Sequence, residues 1–250
     1  MKLSIVAPVY NEQENIGKII EELQRIKDKI KDNFQILVVN DHSCDNTVKI
    51  VEGLSLRYSN IKLIHNDGKK GLGFALRRGF KEITKGALVV VMGDFADRIT
   101  DIPVMYNKIE FGWDVVCGSR YCVGGKANHH NKLKGFFSDF LGLALNKIIK
   151  LPTRDAANAF KMFTYEVLTK IMPIESGRFT TGLEVVIKAY KKGFKITEVP
   201  TVWQDRALGK SSFKIVKTMP DYLKWFLYAL YIRGQKTAPF RVRLPAGRQG

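Results

Sequence analysis

Asp94 and Asp97 stand three residues apart, across a Gly93 turn, immediately after the apolar run Ala87–Met92. Two carboxylates at the end of a buried strand are hard oxygen donors, suited to Mg²⁺ or Mn²⁺ with coordination positions left for substrate phosphates. The same spacing also serves a turn or a helix cap, because aspartate readily starts both. Asp41 follows another apolar run, Phe34–Val39, where it could equally cap the helix expected from about Asp45. Glu12 follows a third, Leu3–Val9. Arg120 follows a fourth, Asp114–Gly118, and opens a basic segment to Lys150 that carries six Lys or Arg and one acid, Asp139. The distal members of that segment, Lys147 and Lys150, fit a solvated helix face equally well. His129 and His130 have no third ligand at metal-site spacing and read as loop residues.

The elements around these groups alternate. Strands are expected at Leu3–Val9, Phe34–Val39, Ile61–His65, Ala87–Met92, Asp114–Gly118, Phe160–Phe163 and Phe194–Pro200, the last as an edge strand. Helical spacing marks 14–31, 45–58, 74–84, 132–150, 180–192 and 212–233, with a glycine-rich loop at 123–131. Short apolar strands alternating with helices predict an α/β fold, a mostly parallel, doubly wound sheet with helices on both faces. Right-handed crossovers bring the carboxyl ends of parallel strands to one edge, where open sheets bind ligands. Asn11, Glu12, Asp41, Asp94 and Asp97 are therefore expected to converge.

The length of 250 residues suits one compact α/β unit, and a hydrophobic fraction of 45% excludes wholesale disorder. Lys and Arg number 41 against 24 acids, a net charge of +17; the basic residues after 235 account for four of these, so the body itself is basic. Such a field favours polyanions. None of the recognisable nucleic-acid modules is present, so no nucleic-acid partner is expected. No stretch approaches 18 apolar residues and no signal core opens the chain, so neither a transmembrane helix nor export is expected. Three cysteines, Cys44, Cys117 and Cys122, lack a zinc pattern and predict a reduced, cytoplasmic protein. Tyr222–Ile232 is nearly apolar all round yet only about 16 Å long as a helix, about half of a hydrocarbon core. Flanked by Lys217 and Arg233, it suits a helix in the membrane interface, or one packed on the sheet or on a second subunit.

Three motifs carry a resemblance: Val6-Ala7-Pro8-Val9-Tyr10-Asn11-Glu12, Val39-Asn40-Asp41-His42-Ser43-Cys44-Asp45-Asn46-Thr47, and Gly71-Leu72-Gly73-Phe74-Ala75. In this order and spacing they resemble family 2 glycosyltransferases of the GT-A fold. Gly118-Ser119-Arg120-Tyr121, Gly124-Gly125, and Glu198-Val199-Pro200 followed by Arg206, Gly209, Lys210 and Ser211 are similar to the dolichyl-phosphate mannosyltransferase-like, or polyprenyl-phosphate glycosyltransferase, branch. The likeness covers residues 2–217. It implies a GT-A domain over 1–211; the rest of the chain reads as a C-terminal helical segment over 212–234, at an anionic membrane surface or packed on the fold, and a basic tail over 235–250. It also implies inverting transfer of a sugar, mannose first, from a nucleoside diphosphate (GDP first, UDP second) to a polyprenyl phosphate. A glycan hydroxyl as acceptor is the alternative, and a non-catalytic binding module a more distant one.

By position in the family motifs, Pro8, Tyr10, Asn11 and Glu12 hold the nucleotide and Asp41 reads its base. Asp94 and Asp97 hold Mg²⁺ or Mn²⁺, although Met92 stands where the usual Asp-x-Asp motif has its first aspartate. Arg120, Lys134 and Ser138 grip the lipid phosphate and the leaving diphosphate, Lys134 replacing a customary arginine at the loss of bidentate geometry. Arg206 and Lys210 lie on a loop able to close over the donor. Glu184 either faces the site or pairs with Lys188 one helical turn on.

Overall fold

The computed structural model describes residues 2–30, 33–128, 132–204 and 215–233, with the backbone alone for 132–138 and 215–217. In chain order the elements are β1 (Leu3–Val9), α1 (Ile16–Arg25), β2 (Phe34–Asn40), α2 (Thr47–Arg57), β3 (Ile61–His65), α3 (Leu72–Phe80), β4 (Ala87–Val90), α4 (Ile102–Glu110), β5 (Val115–Ser119), β6 (Lys126–Asn128), α5 (Lys132–Ile149), β7 (Lys161–Thr164), α6 (Tyr165–Ile171), α7 (Thr181–Lys191), β8 (Ile196–Pro200), β9 (Val202–Gln204) and α8 (Ile215–Arg233). Seven strands form one sheet in the order β3-β2-β1-β4-β7-β5-β8, parallel except for β7, which runs against both neighbours. β6 and β9 form a separate parallel pair.

Every residue of β1 is buried, because the sheet is covered on both faces. Alternate side chains enter opposite cores: Val6, Leu37, Val39, Leu88 and Val90 pack with α3 and α5–α8, while Ile5, Ile36, Val38 and Val89 pack with α1, α2 and α4. α1 follows its apolar stripe closely, with Ile16, Ile19, Ile20 and Leu23 all buried. Pro8 sits in a strand paired on both sides, yet it is tolerated because the register with β4 ends at Val6 while that with β2 continues to Val9.

The expected boundaries contract in several places. α1 stops at Arg25 and a 3₁₀ turn covers Lys27–Lys29; α3 closes at Phe80 rather than 84. α4 and α6 were not anticipated. The apolar pattern of α4 is blurred by exposed Val104 and Phe111, on either side of its buried stripe. α6 is only seven residues long, and its clearest signal is the Thr164 N-cap, whose hydroxyl accepts from the Val167 N–H. The stretch expected as a glycine-rich loop contains β6, paired with β9 from well downstream.

α8 is two-sided. Trp225, Ala229 and Ile232 are buried in the core shared with α5 and α7, whereas Leu223, Leu227 and Tyr231 are exposed. Among the described residues no helix is long and apolar enough to cross a membrane. All three cysteines are free. The Trp225 indole donates to Ser176 Oγ (3.0 Å) and packs edge-on against Tyr228. Trp225→Ala is expected to lower the unfolding free energy by about 3–5 kcal/mol in urea titration. Leu227→Ala, two residues on but solvent-facing, should stay within about 0.5 kcal/mol.

Candidate functional site

The ends of β1 and β2 are laced together by side chains. Asn11, held at a φ of 54°, donates its N–H to Ser43 Oγ (3.0 Å) and accepts the Cys44 N–H on Oδ1 (2.9 Å). The Glu12 N–H donates to Thr47 Oγ1 (2.8 Å), and its carboxylate accepts from the Asn15 amide (2.8 Å). The Asp41 N–H reaches the Val9 carbonyl (2.8 Å). Its buried carboxylate accepts from Asn66 Nδ2 (2.7 Å) and the Gly71 N–H (2.8 Å), so it ties β2 to the loop entering α3 rather than capping α2. The N-cap of α2 is Asn46, which makes no side-chain capping bond; Asp45, just before it, accepts the Thr47 N–H (2.9 Å). Tyr10 is partly exposed, with Lys70 Nζ 3.4 Å from its ring centroid.

Gly93 brings the end of β4 against the end of β1. A Cβ there would lie 2.8 Å from the Pro8 carbonyl oxygen and 3.4 Å from Glu12 Cγ, so only glycine allows the approach. Asp41 and the Asp94 turn therefore flank the same strand end. Phe95, at a φ of 58°, turns the chain between the two aspartates. Asp94 Oδ1 accepts the Ala96 N–H (3.3 Å) and Asp97 Oδ2 the Met92 N–H (3.4 Å). Asp97 Oδ1 is buried with no hydrogen-bond partner among the described residues. Burial, and next the charge of Asp94, push the Asp97 carboxyl up to about 7.

β9 folds back over this turn, with Gln204 donating to the Ala96 carbonyl (3.1 Å) and Trp203 bridged to Asp97. Arg120, just past β5, lies 5.7 Å from the Trp203 ring and 5.1 Å from that of Tyr121. Its Nε and Nη2 donate to Asp155 (2.7 and 2.8 Å) in a buried fork. Burial would raise the Asp155 carboxyl, but the Arg120 charge and hydrogen bonds outweigh it and hold it below the usual carboxylate range. Lys161, also buried, donates to the Asn158 and Asp155 carbonyls, and desolvation lowers its pKa.

Thus Pro8, Tyr10, Asn11, Glu12, Asp41, Asp94, Asp97 and Arg120 all stand at the carboxyl edge of the parallel strands. Lys134 and Ser138 lie on α5, with their side chains outside the described residues; Arg206, Lys210, His129, His130 and the 235–250 tail lie outside them altogether. Glu184 takes the second of the two expected roles, pairing with Lys188, but from a buried position rather than a surface one. It is fully buried, and besides its ion pair with Lys188 (2.6 Å) it accepts the Glu175 and Ser176 N–H groups (2.7 Å each), clamping the loop that touches Gly71 and Gly73. Sequence reasoning missed Asn66, Asp155 and Lys161. Asn66 follows β3 and was open to the same strand-end rule; Asp155 precedes β7, whose reversed direction no local pattern marks.

Among the described residues no cluster of three or more His, Cys, Asp or Glu side chains could hold a metal ion. The donor set nonetheless fits a divalent oxygen-loving cation. Asp94 and Asp97 place two carboxylates on one turn, and a buried oxygen without a partner among the described residues is the feature a cation would satisfy.

The description Glycosyl transferase family 2 matches residues 4–172. A dolichol-phosphate mannosyltransferase of Pyrococcus furiosus is 33% identical over 228 residues, covering 90% of this chain and 62% of that protein; the chain thus spans under two thirds of this relative's length. A dolichyl-phosphate beta-glucosyltransferase of Trichomonas vaginalis is 28% identical over 89% of this chain and 72% of its own. Among solved structures, glucosyl-3-phosphoglycerate synthase from Mycobacterium tuberculosis in complex with uridine diphosphate superposes with a TM-score of 0.70 at 14% identity, covering 92% of this chain and 80% of that one. Its complex with Mn²⁺, uridine diphosphate and glucosyl-3-phosphoglycerate gives 0.67 at 13% identity, covering 93% and 79%. These structures share the fold.

The raised Asp97 pKa has a stability consequence. Between the unfolded value of 3.8 and about 7 the folded state keeps a proton that the unfolded chain releases, so this contribution is present at low pH and lost as pH rises through 7. In chelator-treated protein, Asp97→Asn should raise the urea midpoint over wild type at pH 8, with the gap narrowing as pH falls to 5. A constant gap would show that Asp97 is ionised throughout.

Proposed function

The chain belongs to glycosyl transferase family 2, and from that premise we propose that it transfers a hexose from a nucleoside-diphosphate sugar to the phosphate of a polyprenyl lipid carrier. The observation that carries the reading is the buried Asp97 oxygen beside Asp94, without a hydrogen-bond partner among the described residues, at the point where β1 has β2 on one side and β4 on the other. Mannose from GDP-mannose is the first donor, by likeness to the Pyrococcus furiosus relative. UDP-glucose is the second, by likeness to the glucosyltransferase and to the UDP-bound fold neighbours.

In this reading Pro8, Tyr10, Asn11, Glu12 and Asp41 bind the nucleotide, and Asp94 and Asp97 hold Mg²⁺ or Mn²⁺. Bound there, the ion supplies Lewis-acid neutralisation of the charge gathering on the departing diphosphate. Arg120 and Lys134 add fixed positive charge, and Arg120, Lys134, Ser138, Arg206 and Lys210 bind the phosphates. The acceptor phosphate is already an oxyanion near pH 7, so it needs positioning and charge screening rather than a base. The commitment of Glu184 to the 175–176 backbone supports this acceptor over a sugar hydroxyl, which would require a proton acceptor. Attack opposite the leaving group converts an α-linked donor into a β-linked product. The exposed face of α8, Leu223, Leu227 and Tyr231, with Phe140 of α5 also exposed, would meet the membrane peripherally, on its cytoplasmic face, where the carrier presents its phosphate.

A parallel screen of GDP-mannose, UDP-glucose and UDP-GlcNAc against a short-chain polyprenyl phosphate tests the reaction. A β-linked lipid product with one donor is expected, and no product with any donor overturns the reading. Asp94→Ala should reduce turnover at least 100-fold with the melting temperature retained; full turnover in Mn²⁺ buffer would remove Asp94 from the metal site. For the membrane face, Leu223→Ser/Leu227→Ser/Tyr231→Ser should lose co-sedimentation with anionic liposomes, and undiminished binding would relocate the contact.

A further inference from the structure

Both oxygens of Asp155 accept from Arg120. Oδ2 takes the Arg120 backbone N–H (2.9 Å) and Nε (2.7 Å), and Oδ1 takes Nη2 (2.8 Å). The two side chains are 1% and 9% exposed. Bidentate geometry fixes the plane of the guanidinium as well as its position, and the Tyr121 and Trp203 rings flank it. Asp155 itself stands on a braced loop. Its N–H donates to Thr153 Oγ1 (3.0 Å), and Glu198 Oε2 on β8 accepts from both Thr153 Oγ1 (2.9 Å) and the Arg154 N–H (2.8 Å). The Asp155 carbonyl also takes Lys161 Nζ (3.4 Å), tying the loop to the first residue of β7.

Stability alone does not account for this pair. A buried ion pair recovers its desolvation cost only with good geometry, and well-packed apolar side chains often serve a core as well or better. A long side chain held in one orientation beside a substrate site, however, meets an anion without first losing rotamer freedom. We propose that Asp155 is a positioning residue that holds Arg120 in the orientation in which it meets the acceptor phosphate. The proposal rests on the reading of Arg120 given above, and adds the residue that makes that side chain rigid. Asp155 acts through Arg120 and does not itself contact the reacting atoms.

The test uses the full chain labelled with ¹⁵N-arginine, the Arg120 Nε–H resonance being identified by its absence in Arg120→Lys. In wild type that Nε–H should exchange slowly with water, and in Asp155→Asn at least tenfold faster. With a short-chain polyprenyl phosphate, D155N should lose at least tenfold in kcat while the donor KM stays within about twofold. The double variant D155N/R120K should fall no more than about twofold below R120K alone, because the two residues act as one unit. Unchanged Nε–H protection in D155N, or losses that multiply in the double variant, would overturn the proposal. Should D155N fail to fold, Asp155→Glu keeps the charge but displaces the fork by one methylene; a wild-type rate in D155E would equally overturn it. Transfer at the wild-type rate in R120K would instead sink the phosphate role of Arg120. The exchange measurement needs no acceptor and still decides whether Asp155 positions that side chain.

Discussion

The organising constraint of this molecule is that its sheet is buried on both faces. Each of β1, β2 and β4 sends alternate side chains into two separate cores, so a polar group along those strands needs a partner, as Gln35 gives Ser4 (2.9 Å). Polar chemistry is displaced to the strand ends, and parallel order places those ends on one edge. Glu12, Asp41 and Asp94 are neighbours because the apolar runs before them are adjacent in the sheet, and Arg120 stands on the same edge from β5, beyond β7. The loops that carry them are held tightly. Asn11, His42 and Phe95 each adopt positive φ just beyond a strand, and side chain to backbone hydrogen bonds join one loop to the next.

Charge at this edge is partly cancelled and partly left open. Arg120 is held by Asp155 in a buried ion pair, and Lys161 lies nearby among carbonyl oxygens. Asp97 is different: it is buried, it has Asp94 beside it, and one of its oxygens finds no partner among the described residues. In an interior of low polarity an arrangement of this kind favours either a proton or a cation. That asymmetry between two neighbouring carboxylates, one paired with a guanidinium and one without such a pair among the described residues, is a property of the fold rather than of either aspartate.

The helices on the other side of the sheet bring a second coupling. The loop at 173–177 is clamped by Glu184, holds the Trp225 indole through Ser176, and abuts Gly71 and Gly73. Through that loop α8 is in physical continuity with the segment that binds the Asp41 carboxylate. A helix that shows leucines and a tyrosine to solvent on one face thus leans, on the other, against the scaffold of the candidate site.

Much of this was legible in the residues. Continuous apolar runs such as Phe34–Val39 and Ala87–Val90 mark strands covered on both sides, and the polar residue closing each run marks the edge, because burial and hydrogen bonding act on a few adjacent residues at a time. The edge position of β8 and the helical stripe of α1 were visible for the same reason. Where β7 inserts, and in which direction, was not. A four-residue strand reads identically in either sense, and only pairing with β4 and β5 sets it. That reversal delivers Asp155 to Arg120, and the inward turn of Glu184 likewise depends on a loop elsewhere in the chain. Local sequence determined which residues are polar and where strands stop; the tertiary structure decided which of those polar groups neutralise one another, since charge pairing is a matter of distance in space.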